Sequence, residues 1–307
     1  MNNARAVAKT PFFVLLFLIG LGTTFPFYLP PFIIILLISV LMYTILALSW
    51  TTFCGPSNYI SLATAAIFGV GVYTSAILQE LPLPLTILIG GLMSSCLGLV
   101  IGMTTLRLSG MYFCIFTFGL SELFRHTMNW YEVNITATVG RWVTLQNHIT
   151  VYYYMLAIFL ITLVAAYLIT RSKWGLALKS IGQTEDAAAH IGINVNAVKI
   201  ISFAITCFFI GAAGVVMATR WSYIDPDLAF APFVTFFTIM MVLVGGWGST
   251  LYGPILGAVV LTVLSDMVLA SFPRLMMFMF GVILVAVILF FPNGLIGFLT
   301  RTEKSSA

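Results

Sequence analysis

Apolar stretches of about 20 residues recur through this sequence and constrain its fold more than any other feature. Counting them gives roughly ten segments, at about 12–29, 32–51, 58–79, 84–105, 109–129, 150–170, 198–219, 230–246, 252–270 and 275–291. In hydrocarbon a segment of this length satisfies its own backbone polar groups only as a helix. Of the 307 residues, 61% are hydrophobic and 7% are charged, against about 25% charged in a soluble domain.

The fold predicted from this pattern is an all-α integral membrane protein with about ten transmembrane helices, forming a single transmembrane domain over residues 1–307. One boundary leaves two interpretations open. Between the eighth and ninth segments the run GGWGSTLYG (245–253) either joins two short spans or forms a re-entrant hairpin.

The basic residues orient the predicted spans. Lys and Arg are enriched in cytoplasmic connections. If the N-terminus is inside, nine basic residues face inward and four face outward: Arg5, Lys9, Arg107, Arg171, Lys173, Lys179, Lys199, Arg301 and Lys304 against Arg125, Arg141, Arg220 and Arg274. We therefore predict a multi-pass membrane protein with both termini in the cytoplasm. The net charge of +4 does not indicate nucleic-acid binding, because the basic residues lie mainly in loops on one predicted side, where they orient the protein.

The longest polar interruption, residues 171–199, predicts a short cytoplasmic helix with both ends marked. The Thr184 hydroxyl is suited to accept from the free N–H groups of the first turn. Glu185 and Asp186 place negative charge at the positive end of the helix dipole, and Gly192 readily adopts a left-handed stop. A helix of about two turns is not stable alone, so we predict that it docks against a cytoplasmic partner.

The same stretch resembles a known family. Asp186-Ala187-Ala188, closed by Gly192, resembles the Glu-Ala-Ala…Gly loop of ABC-importer permeases, with Asp in place of Glu. The surrounding WGLALKSIGQTEDAAAHIGINVNAVKIISFAITCFFIGAAGVVMA resembles, more narrowly, the branched-chain amino acid permeases. So do LRLSGMYFCIFTFGLSELFRHTMNW, GGWGSTLYGPILGAVVL and the closing FPNGLIGFL, and together these segments touch most of residues 46–299.

Two departures accompany the resemblance. The Leu-Pro that ends the wider loop motif is absent, since Ile201, Ser202 and Phe203 occupy that region. In addition, the family pattern has a glycine and a histidine near the positions of Ala63 and Thr64. The second departure bears on the transported molecule, for which the resemblance implies branched-chain or related amino acids, with urea or short amides as close alternatives.

The resemblance implies a multi-pass permease subunit of a bacterial or archaeal cytoplasmic (inner) membrane that couples to separate ATPases through residues 171–199. The implied partners are two cytoplasmic ATPase subunits that hold ATP and Mg²⁺, a second homologous permease chain, and a periplasmic or extracellular substrate-binding protein. No cofactor is then expected on this chain itself. The expected ATPase-coupling residues are Glu185, Asp186, Ala187, Ala188, Ile191 and Gly192.

The third apolar segment contains the first candidates for a translocation path. Gly55-Pro56 interrupts a helix, and a backbone break in a membrane requires protein or water around it. Small and hydroxyl-bearing residues follow, and those that we assign to the path are Ser57, Asn58, Ser61, Thr64, Gly69 and Gly71. The alternative is a tightly packed helix, because small residues at helical spacing permit close approach of neighbouring helices.

Ionisable residues within predicted spans are further candidates, because such groups are costly in a membrane and often mark a path. Glu122 and Arg125 lie at i and i+3, and Asp266 lies within the ninth span. A structural role competes with this one, because Glu122 and Arg125 neutralise each other and Asp266 can reach Arg274 or a hydroxyl.

Two functional classes therefore compete. The sequence has no G-x-x-x-x-G-K-[S/T] motif, so it binds no ATP through a P-loop. His126, His148 and His190 lack metal-ligand spacing, and no nucleophile–base set suggests an enzyme. The first class is an ABC-importer permease subunit. The second is a self-sufficient secondary transporter or channel for a small polar solute, which places its coupling-ion site near broken helices.

Overall fold

The computed structural model describes residues 30–106, 108, 110–247 and 251–271, together with 278, 281, 282, 285 and 294. Its helices are α1 (Pro31–Ser57), α2 (Thr64–Ile77), α3 (Leu83–Thr105), α4 (Met111–Tyr131), α5 (His148–Arg171), α6 (Lys173–Gln183), α7 (Glu185–His190), α8 (Val195–Ala218), α9 (Pro226–Ala229), α10 (Pro232–Gly245) and α11 (Tyr252–Ser271). A π-helical turn, Glu132–Thr136, extends α4. The two-residue strands β1 (Arg141–Trp142) and β2 (Tyr223–Ile224) pair antiparallel.

The predicted helical fold is confirmed over this part of the chain. Each predicted span from 32–51 to 252–270 falls on a helix. Within the described residues, five helical stretches have the length and apolar character of a membrane span: α1, α3, α5, α8 and α9–α10 taken together. The span at 12–29 and nearly all of 275–291 lie outside the described residues, so the count of ten stays a prediction, as do the cytoplasmic termini. The run 245–253 separates two helices, α10 and α11.

Helix α8 is the centre of the packing. It contacts α1, α2, α3 and α5, and most of its residues from Ser202 to Ala218 are buried. The small residues Gly211, Ala212, Ala213 and Gly214 let neighbouring backbones approach, which is how helices associate in a membrane. A Cβ added at Gly71 of α2 would overlap the Gly211 carbonyl oxygen. This contact favours the tight-packing interpretation of Gly71.

The break before α2 lies later than its sequence suggested. Helix α1 continues through Pro56 to Ser57, and the chain leaves it at Asn58, whose φ is 57°. A proline in the last turn removes only one backbone donor, and the Ser57 hydroxyl donates to the Phe53 carbonyl oxygen at 2.6 Å. Ser57 therefore belongs to α1, and residues 58–63 form a non-helical connection.

Threonines on two other helices support this connection. The Leu62 N–H donates to Thr117 Oγ1 of α4 at 3.0 Å, and the Ala65 N–H donates to Thr235 Oγ1 of α10 at 2.9 Å. These bonds satisfy backbone donors that a helix start leaves free. Helix α2 itself has 14 residues, which span about 21 Å, less than the about 30 Å of a bilayer core. The connection and α2 together therefore make one crossing.

The connections gather at two ends of the helix bundle. At one end residues 171–199 contact the connection 58–63 and Leu106, just after α3. At the other end β1 pairs with β2, and Gln79 Nε2 donates to the Trp142 carbonyl oxygen at 2.7 Å. The connections at these two ends are the ones that the charge pattern assigns to the cytoplasmic and the external side of the membrane, respectively.

Candidate functional site

The polar stretch 171–199 folds into α6 and α7, and the predicted short helix is present as Glu185–His190. Thr184 is its N-cap residue, with an extended backbone, but its hydroxyl makes no capping bond. The Ala188 N–H instead donates to the Thr184 carbonyl oxygen at 3.1 Å. The position of the cap was correctly predicted, and the mechanism assigned to its side chain was wrong.

The end of α7 depends on a left-handed residue, as predicted. Gly192 has a φ of +86°, and its N–H donates to the Ala189 carbonyl oxygen at 3.0 Å. The Ile193 N–H donates back to the Ala188 carbonyl oxygen at 3.1 Å. These two bonds close the helix.

Replacing this glycine tests the stop directly. No atom lies within 4 Å of a Cβ added at Gly192, so Gly192→Val acts through backbone strain alone. We expect it to destabilise α7 locally by about 1–2 kcal/mol, because a β-branched residue resists positive φ. The measurement is hydrogen–deuterium exchange at the α7 amides, with Gly192→Asn as the control that tolerates this conformation. Equal protection in Gly192→Val and the wild type would contradict the assignment.

Helix α7 presents one buried residue and a broad exposed face. Ala188 is 1% exposed, whereas Asp186, Ala187, Ala189 and His190 are exposed. Ile191, three residues after Ala188, is 73% exposed. It follows the last helical residue as the C-cap, so the i, i+3 rule for helix faces does not apply to it.

The most connected group in this region is the Lys199 ammonium, which is on α8 and is buried at 2% exposure. It donates to Glu185 Oε1 at 2.5 Å, to the Tyr59 hydroxyl at 3.0 Å and to the Leu106 carbonyl oxygen at 3.2 Å. The ammonium has three donors, and each has an acceptor. It also lies 4.3 Å from the centre of the Tyr59 ring. We call Lys199, Glu185 and Tyr59 the ammonium cluster.

Tyr59 completes the cluster as a donor. Its hydroxyl donates to Glu185 Oε1 at 2.6 Å. One neighbouring hydrogen bond supports the cluster: the Asn58 side-chain amide donates through Nδ2 to the Gly182 carbonyl oxygen at 2.9 Å. The cluster thus joins α7 and α8 to the connection before α2.

The sequence did not single out this cluster. Lys199 was counted among the inward loop charges, and Tyr59 was not selected. A usable signal was present in Asn194, whose side chain accepts from the Ala197 N–H at 3.1 Å and caps α8. A cap at this position places Lys199 in the second turn of α8, at the start of the predicted span 198–219, and an ammonium that is buried there requires polar partners.

The candidate path residues lie in four places and do not converge on one site. Ser57 and Asn58 lie beside α6. Ser61 and Thr64 are buried and line a small cavity with Trp50, Phe203 and Thr206. This cavity has room for about one water molecule, which is too little for an amino acid. Gly69 faces the Phe230 ring, and Gly71 faces Gly211.

The two ionisable candidates lie on different helices and interact with different arginines. Glu122 Oε2 of α4 lies 3.0 Å from Arg125 Nη2, which confirms the predicted pair, and Arg125 Nε lies 3.8 Å from Asp227 Oδ1. Asp266 lies on α11 and interacts electrostatically with Arg220. Arg274, its predicted partner, lies outside the described residues. The path role of Glu122 and Asp266 stays a prediction.

A buried carboxylate at the other end of the bundle was not selected from the sequence either. Glu132 is 1% exposed. It accepts from the Tyr73 hydroxyl at 3.1 Å and from the Gly140 N–H at 2.7 Å, and Arg141 Nε lies 3.8 Å away. These contacts anchor the connection between α4 and α5 to α2.

Comparisons with known proteins agree with the resemblance in the sequence. The family model described as "Branched-chain amino acid transport system / permease component" matches residues 32–288. The permease protein LivM of the high-affinity branched-chain amino acid transport system of Escherichia coli (strain K12) is 26% identical over 314 aligned positions, which cover 91% of this chain and 73% of that protein. LivM of Salmonella typhimurium (strain LT2) is 26% identical over 291 positions, covering 83% and 68%. No solved structure matches.

Proposed function

Because this chain belongs to the family of branched-chain amino acid transport permeases, we propose that it supplies one half of the membrane path of an ATP-driven importer. The substrate that we propose is a branched-chain or related amino acid. The chain crosses the inner membrane about ten times with both termini in the cytoplasm. A second, homologous permease chain completes the path, and a periplasmic or extracellular protein delivers the substrate.

Helix α7 is the element that we propose as the contact for the ATPase subunits. The observation that carries this is its shape: a helix of six residues with a closed end, an exposed face and a single buried alanine. Asp186, Ala187 and Ile191 are exposed and offer a small, shallow surface. Two ATPase subunits hold ATP and Mg²⁺, and this chain binds neither.

The alternative is a secondary transporter or channel that works alone. Such a protein needs an uncompensated intramembrane site for a coupling ion. Glu122 offers no such site, because Arg125 neutralises it at 3.0 Å. Family membership and the geometry of α7 both favour the ATP-driven class. A permease for urea or short amides remains the alternative within the family, because Ala63 and Thr64 depart from its pattern.

The experiment is reconstitution in liposomes with radiolabelled leucine as the probe and urea as a competitor. We expect no ATP-driven uptake by this chain alone, and uptake only after its ATPase subunits, second permease chain and binding protein are added. Urea should not compete. Leucine accumulation by this chain alone, driven by an ion gradient, would overturn the proposal, and competition by urea would redirect the substrate.

A further inference from the structure

We propose that Lys199 and Glu185 form a latch that fixes α7 to the membrane helices and passes its displacement to them. This inference rests on the proposed function, since it assigns a positioning role within the coupling region. Glu185 would then act through its own chain, whereas the family resemblance places it among the residues that meet the ATPase.

The distribution of the contacts carries the inference. The Lys199 ammonium bonds to three separate parts of the chain: Glu185 on α7, Tyr59 before α2, and Leu106 after α3. Lys199 itself lies on α8, the helix at the centre of the packing. A displacement of α7 therefore acts on α2, α3 and α8 through one group.

The energetics make this contact different from a surface ion pair. Lys199 is 2% exposed and Glu185 is 38% exposed. An exposed pair contributes little, but separating a buried ammonium from its carboxylate leaves an uncompensated charge in a low-dielectric environment. The contact therefore resists breaking when α7 is displaced. Backbone contacts around α7 are few, because α7 has only six residues.

The asymmetry of exposure suggests which variants to use. Lys199→Met removes the charge and keeps an unbranched side chain, and Glu185 still reaches solvent and the Tyr59 hydroxyl. Glu185→Gln keeps an acceptor for Lys199 but leaves the ammonium uncompensated. In the double variant no buried charge remains. Comparing the single variants with the double variant thus separates the effect of losing the latch from the cost of leaving a buried charge uncompensated.

The experiment measures leucine taken up per ATP hydrolysed by the complete complex in proteoliposomes, together with the ATPase that copurifies with each variant. We expect Lys199→Met to keep ATPase binding and to lower uptake per ATP by about tenfold. The double variant should lose no more than Lys199→Met alone, since the two side chains act as one unit. Lys199→Arg should recover part of the loss. Glu80→Gln, which removes an exposed charge between α2 and α3 and outside residues 171–199, should leave the ratio unchanged.

The contrary results are equally distinct. An unchanged ratio in Lys199→Met and in the double variant, or independent losses that multiply, would overturn the latch. A loss of assembly and hydrolysis in equal proportion, with the ratio intact, would show a role in stability alone. If Lys199→Met does not assemble, Tyr59→Phe and Lys199→Arg give the same comparison. Absence of leucine uptake by the wild-type complex would instead refute the proposed function.

Discussion

Gly71→Leu is expected to prevent stable folding of the helix bundle. Gly71 of α2 faces the backbone of Gly211 on α8, and an added Cβ would overlap the Gly211 carbonyl oxygen and lie 2.9 Å from its Cα. Backbone atoms cannot move aside without displacing α8, on which α1, α2 and α3 all pack. Overpacking of this kind costs about 3 kcal/mol, at the upper end of its usual range. Thermal stability and elution profile in detergent are the measurements.

Leucine substitutions at two other glycines serve as comparisons for the stability loss expected in Gly71→Leu. No atom lies within 4 Å of a Cβ added at Gly119, an exposed residue of α4, so Gly119→Leu should leave stability unchanged or slightly raised. Gly69 faces the side chain of Phe230, which stacks on Tyr73 with centroids 5.5 Å apart. A ring can rotate, so Gly69→Leu should cost less than Gly71→Leu. Wild-type stability in both Gly69→Leu and Gly71→Leu would refute the packing argument.

The order of helices could be predicted from the sequence because apolar length is a direct physical requirement of a bilayer. The ends of the helices were harder to predict from the sequence. Pro56 marked a break that the chain places two residues later at Asn58, because a proline in the last turn leaves most of the helix bonds intact. The resulting connection depends on hydroxyls of Thr117 and Thr235. Partners so distant in sequence have no local signal.

The polar stretch 171–199 shows the same division between local and tertiary information. Gly192 was identified because a left-handed stop is a local property, and its φ of +86° agrees. Tyr59 and Lys199 were not identified, because 140 positions separate them in the sequence. Ile191 does not share the buried side of Ala188, because the helix ends one residue before it.

The location of Ala188 changes what a bulky residue there would do. Its 1% exposure places it in the core cluster with Leu178, Ile181 and Val198, so its side chain faces its own chain. Ala187, one residue earlier, is exposed. The two alanines therefore separate the attachment of α7 to the membrane helices from its proposed contact with a partner.

Ala188→Trp is expected to displace α7 from the helices on which it packs and to weaken ATPase capture about tenfold or more, while the membrane helices still fold. A tryptophan has no space at a 1% exposed position, and overpacking of about 1–3 kcal/mol exceeds what a six-residue helix retains alone. Ala187→Trp should weaken capture without loosening α7, because it adds bulk only on the exposed face. Ala188→Ser is the matched control and should have only a small effect on both.

The measurements are ATPase pull-down and hydrogen–deuterium exchange across residues 185–193. Wild-type values for Ala188→Trp in both would show that α7 is an ordinary loop element, and the structural support for ATPase coupling at this site would be lost.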